Sequence, residues 1–152
     1  MKILLYIVLL VSFAIAGEEK VISLSEVPSE LLKKAKKILP EIEFVSANTE
    51  QEEDYLVYEI QGIFPDNRKV EIDILSDAKV EEIEVEFPSY MVPKAVFIQI
   101  EKKYNGFKPT YIEASHSESM KVVKYEFEGI YDNNKIDIEV SANGRKIVEA
   151  DK

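Results

Sequence analysis

GIFPDNRKVEIDI, Gly62 to Ile74, and GIYDNNKIDIEV, Gly129 to Val140, are the same phrase written twice. Each has a glycine, an isoleucine, an aromatic residue, a polar tip and a basic residue, then alternating acidic and aliphatic residues. Alternation with a period of two marks a strand with one buried face. The tips FPDN and YDNN are turn formers. Each phrase therefore predicts a hairpin whose second strand buries Val70, Ile72 and Ile74 in one case and Ile136, Ile138 and Val140 in the other. Glu71, Asp73, Asp137 and Glu139 fall on the opposite face.

Upstream the correspondence continues. YLVYEIQGI matches VVKYEFEGI, so Leu56, Tyr58 and Ile60 point inward, as do Val123, Tyr125 and Phe127. EFVSA matches TYIEA before them. Further back, VPSELLKKAKKILP predicts a helix with Pro28 at its first position, a buried stripe of Leu31, Leu32, Ala35, Ile38 and Leu39, and a stop at Pro40. Lys33, Lys34, Lys36 and Lys37 lie mostly on its solvent side. VPKAVFIQIEKKYNG repeats the plan with Pro93, the stripe Val96, Phe97, Ile100 and Tyr104, and the stop Asn105-Gly106. Downstream, VEEIEVEF and RKIVEA supply a last strand each, after turns at Ser76-Asp77 and Asn143-Gly144.

The expected architecture is α+β. Two tandem repeats, residues 21–87 and 92–150, each place one helix on a roughly four-stranded antiparallel sheet. About sixty residues make a meagre core alone, so the two units are expected to pack side by side, helices on one face. FPSYMVP, 87–93, is the short proline-bounded join.

The N-terminus has its own reading. Lys2, an apolar run from Ile3 to Phe13 and Ala14-Ile15-Ala16 form a secretory signal peptide over residues 1–16. Its removal leaves 18 basic against 29 acidic residues, a net charge of −11. That balance argues against nucleic acid and anionic lipid as partners. No membrane insertion is expected after cleavage. The chain has no cysteine, so neither a disulfide framework nor a lipidated cysteine is available. The compartment implied is the periplasm, with secretion as the alternative.

VPSELLKKAKKILPEIEFVSA, YLVYEIQG and RKVEIDILSDAKV resemble one repeat of the PepSY-like family, which includes periplasmic proteins similar to β-lactamase inhibitors. VPKAVFIQIEKKYNGFKPTYIEA, VVKYEFEG and KIDIEVSANGRKI resemble a second, with Lys102-Lys103-Tyr104 and Asn143-Gly144 fitting the pattern well. Ile38-Leu39-Pro40 and Asp77-Ala78 depart from it. The resemblance implies a fold like that of the β-lactamase inhibitor protein, with strands lining a broad surface. Some related proteins bind and inhibit enzymes through such a surface.

Catalysis finds little support. The one histidine, His116, reads as a solvated loop residue. No nucleophile–base pair, dinucleotide fingerprint or zinc motif appears, and no cofactor is expected. The remaining readings are a non-enzymatic binder of another envelope protein or peptide, an envelope protein with a structural or stress-related role, and a calcium-binding or carboxylate-based enzyme. Oxygen-rich PDN, Pro65–Asn67, and DNN, Asp132–Asn134, are the calcium candidates. For binding, the charge asymmetry is informative. Residues 27–87 carry 16 acidic and 7 basic residues, whereas 92–152 carry 10 of each. Glu82, Glu84 and Glu86 concentrate acid on one strand and are candidates for steering a basic partner. Phe64 and Tyr131, at matched hairpin positions, either pack at the sheet end or project as contact anchors. Tyr90 and Met91 in the join are further candidates.

Overall fold

The computed structural model describes residues 18–52 and 54–150. The signal-peptide reading, residues 1–16, lies outside them.

The first strand, β1 (Glu18–Ile22), precedes helix α1 (Ser29–Ile38). Strands β2 (Glu43–Gln51), β3 (Leu56–Ile63), β4 (Lys69–Leu75) and β5 (Val80–Glu86) follow. A 3-10 turn at Ser89–Met91 leads into α2 (Lys94–Lys103). The chain ends with β6 (Lys108–His116), β7 (Val122–Tyr131), β8 (Asn134–Ser141) and β9 (Ile147–Glu149). All nine strands join one sheet in chain order, and every neighbouring pair is antiparallel. The expected α+β class with antiparallel strands is met, as two helices and one continuous nine-stranded sheet. β1 is an extra strand that the sequence reading did not assign.

Directly paired residues on antiparallel strands share a face, so the register traces the two faces across the sheet. Val70 pairs with Val85, Val85 with Ala114, Ala114 with Tyr125 and Tyr125 with Val140. Leu31, Ala35 and Leu39 of α1 pack on the first half of this apolar face, and Val96, Ile100 and Tyr104 of α2 on the second. Both helices thus lie on one face. Phe87 borders both apolar clusters, and its ring stands 6.0 Å from that of His116 and 5.8 Å from that of Tyr125.

Three details differ from expectation. Pro28 and Pro93 are the capping residues before the helices, with ψ of 131° and 133°, rather than first helical residues. The Pro28 carbonyl accepts from the Leu31 and Leu32 amides, and that of Pro93 from Val96. Val123 is 56% exposed. The β6–β7 register shifts between Ser115 and His116, pairing Lys124 with Ser115 but Val122 with His116. This bulge skips Val123, and Val122 packs on the core instead. His116 is the last residue of β6, only 7% exposed, and faces the apolar side, not a solvated loop. Burial lowers its pKa, and its Nδ1 has no hydrogen-bond partner.

Candidate functional site

The face of the sheet opposite the helices is built by the other half of each strand alternation. Three rows of paired residues cross its centre. One runs Asn48–Glu59–Asp73–Glu82. The next runs Gln61–Glu71–Glu84–Ser115–Lys124–Ser141. The third runs Glu86–Glu113–Glu126–Glu139. Nine carboxylates and a single lysine occupy these rows. Like charges directly opposite each other are destabilising, so the arrangement costs the fold stability.

These groups are less solvated than the strand pattern implies. Glu84 is only 9% exposed. Asp73 Oδ1 and Glu128 Oε1 are sealed from solvent without a hydrogen-bond partner. Burial, then the Glu126, Glu113, Glu82 and Asp73 carboxylates, push the Glu84 pKa up to about 10. Burial, with Glu71, Glu59 and Glu82 beside it, pushes Asp73 well above the usual carboxylate range. Burial raises Glu59 and Glu113 to about 7, although Asn48 and Tyr111 respectively donate hydrogen bonds that partly oppose the rise. Glu71 is raised chiefly by burial as well, against a hydrogen bond from Gln61 Nε2 at 2.7 Å.

Lys124 is the internal counter-charge. Its Nζ lies 2.8 Å from Glu126, 3.2 Å from Glu139 and 3.7 Å from Glu82. Burial works against its charge, but these carboxylates outweigh it and hold its pKa above the ordinary lysine value. Neutral donors serve the others. Tyr111 Oη donates to Glu113 at 2.9 Å, Ser115 Oγ to Glu126 at 3.3 Å, and Asn48 Nδ2 to Glu19 at 2.8 Å. One carboxylate oxygen from each of Glu82, Glu84 and Glu126 lies within 4.8 Å of the other two, a spacing that a single cation can span.

Of the candidates from sequence, Glu82, Glu84 and Glu86 are brought together on this face. Phe64 and Tyr131 are half-buried on the helix side. Phe64 packs against the first core cluster beneath the Arg68 guanidinium, 4.8 Å from the ring centroid. Tyr131 meets the Tyr104 ring edge-to-face at 5.3 Å. Tyr90 is 84% exposed in the 3-10 turn, and Met91 beside it is also exposed. The two hairpin tips are closed turns. Asp66 is committed to Arg68 Nε at 2.8 Å, and Asp132 and Asn133 both have positive φ. Glu59, Glu113 and Glu126 were missed as site residues. Their signal was present in the acidic positions of β3, β6 and β7, but only the register shows that they meet.

Among the described residues, no helix is long and apolar enough to cross a membrane. Residues 28–76 match the PepSY family model, described as the peptidase propeptide and YPEB domain. Nothing among curated proteins matches the chain. Solved structures do. A DUF2874 family protein from Bacteroides uniformis ATCC 8492 is 15% identical, with a TM-score of 0.61 over 81% of this chain and 89% of that one. A BLIP-like protein from Bacteroides fragilis NCTC 9343 is 18% identical, with a TM-score of 0.58 over 82% of this chain and 88% of that one. Residues 28–76 thus resemble the PepSY family, and the chain shares its overall fold with the DUF2874 and BLIP-like structures.

Proposed function

We propose that this chain is an exported, non-catalytic binding protein of the periplasm, which takes up a basic segment of another envelope protein on the acidic face of its sheet. One observation carries the reading: nine carboxylates against one lysine in the three central rows of a face that no described element covers. A fold maintains such repulsion at a cost, and a cationic partner would offset it. The fold shared with a BLIP-like protein supports a sheet surface as the binding element. Two tandem units, 21–87 and 92–150, would supply that surface jointly. This reading is supported by the order of elements, a proline-capped helix and then four strands, in each half.

Glu82, Glu84 and Glu86 are assigned to the contact surface together with Glu113, Glu126 and Glu139. Phe64 and Tyr131 are assigned to the core instead, because their rings lie on the helix side. Tyr90 is left as a peripheral contact. The test captures the partner by cross-linking to the mature chain in envelope extract, and then measures affinity for the purified partner. Wild-type affinity is expected to fall steeply with salt. The Glu86→Lys variant, which sets a lysine opposite Glu113 and should fold, is expected to bind at least several-fold more weakly. Affinity indifferent to both salt and charge reversal would sink the proposal.

A further inference from the structure

The carboxylates of Glu82, Glu84 and Glu126 converge more tightly than charge steering requires. Oxygens from all three lie within 4.8 Å of one another. A calcium ion holds oxygen ligands at about 2.3–2.6 Å, so two ligands of one ion stand at most about 5 Å apart. The three side chains therefore satisfy the span of a single ion without movement of the strands.

A second observation is independent of that convergence. Glu84 is 9% exposed, and its carboxylate makes no hydrogen bond or ion pair with any described residue. Asp73, directly opposite Glu82 across the β4–β5 ladder, has a buried Oδ1 with no partner. A buried polar atom left unpaired costs about 1–3 kcal/mol, and more when charged. Lys124 does not relieve it. Its ammonium serves Glu126 and Glu139 at 2.8 and 3.2 Å and reaches Glu82 only at 3.7 Å.

We infer that Glu82, Glu84 and Glu126, flanked by Asp73, form a binding site for a hard divalent cation, calcium in preference to magnesium. All its donors are oxygens, with no histidine or cysteine among them, which selects a hard ion. Three carboxylates, each able to bind through one oxygen or two, suit the adaptable coordination of calcium better than the strict octahedron of magnesium. Lys124 would give up Glu82 and Glu126 and remain on Glu139, which it already contacts. The ammonium is thus a competitor for the site rather than a ligand. This inference does not require a protein partner, and calcium alone is the probe.

The test is calorimetric titration and thermal unfolding of the mature chain with calcium chloride, with magnesium chloride and ionic-strength-matched sodium chloride as controls. One calcium per chain is expected, with a rise in Tm that sodium does not reproduce and magnesium reproduces only weakly. Glu84→Gln replaces an uncompensated carboxylate with a neutral amide of the same shape and should fold at least as well. It is expected to weaken calcium binding at least about tenfold. Lys124→Met removes the competitor and is expected to tighten binding several-fold. The inference is overturned if calcium gives no heat and no specific Tm rise, if Glu84→Gln binds like wild type, or if Lys124→Met binds more weakly.

Discussion

A Cβ on Gly129 would collide with the Phe107 ring and the Lys108 carbonyl oxygen, and one on Gly62 with Ile42 Cγ2. Ile42 and Phe107 are both buried residues on the way from a helix into the next strand. The glycine in each hairpin phrase thus makes room for the chain returning from the helix. Phe107 is a rigid ring backed by main chain, whereas Ile42 can turn its side chain. Gly129→Ala is therefore expected to cost about 2–3 kcal/mol and Gly62→Ala clearly less, measured by urea unfolding. Equal costs would refute the part assigned to Phe107. The recurrence of the glycine was plain in the sequence, but its reason was not, because Phe107 and Gly129 meet only when β6 pairs with β7. His116 was misread for a related reason. Its neighbours Ser115 and Ser117 look solvated, yet Ser115 lies on the polar face and His116, one residue later, on the apolar face beside Phe87.

Three hairpins use one turn, in which a first residue donates its amide to the carbonyl four residues on and accepts from the amide three residues on. These are Phe64 with Asn67 and Arg68, Leu75 with Ala78 and Lys79, and Ser117 with Met120 and Lys121. The fourth position has positive φ, 69° at Asn67, 68° at Ala78 and 59° at Met120. Asparagine tolerates that region, but alanine and methionine pay a steric penalty there. Ala78→Gly and Met120→Gly are each expected to stabilise the protein by about 0.5–1 kcal/mol, net of the entropy of glycine. Thermal melts of the single and double variants check this, and a lower Tm for either would count against it. At this scale the sequence was most legible. The buried stripes of both helices and the β3–β4 and β7–β8 hairpins carry local patterns of their own. β1 does not. Its five residues, EEKVI, hold strand form through pairing with β2, whose nearest partner, Ala47 opposite Ile22, is 25 residues on. The exposure of Val123 was equally hidden, because it follows from a bulge between two strands rather than from the alternation within one.

For the molecule as a whole, the acidic face makes an unusual statement about pH. Glu59, Glu71, Asp73, Glu84, Glu113 and Glu128 all have pKa values raised, each with burial as the leading cause. In an unfolded chain such groups titrate near about 4. The folded protein holds more protons than the unfolded chain from there up to about 7 for Glu59 and Glu113, and up to about 10 for Glu84. Stability that depends on a raised carboxyl pKa is complete below the unfolded value and is lost as pH rises through the folded one. His116 acts the other way. Its lowered pKa means that it loses stability as the pH falls below about 6.5, but it is one group against six. The Tm is therefore expected to be higher near pH 5 than near pH 8, by about 5 °C, the reverse of a protein whose acids are paired with bases. Salt should narrow the gap by screening the face at the higher pH. Glu59→Gln/Glu113→Gln, neutral at every pH, should flatten the profile between about pH 5 and 7 without lowering the Tm at pH 8. A wild-type profile that is flat, or that rises with pH across this range, would mean that the carboxylates of this face are solvated and mobile, and that the acidic surface costs the fold nothing for a cationic partner to recover.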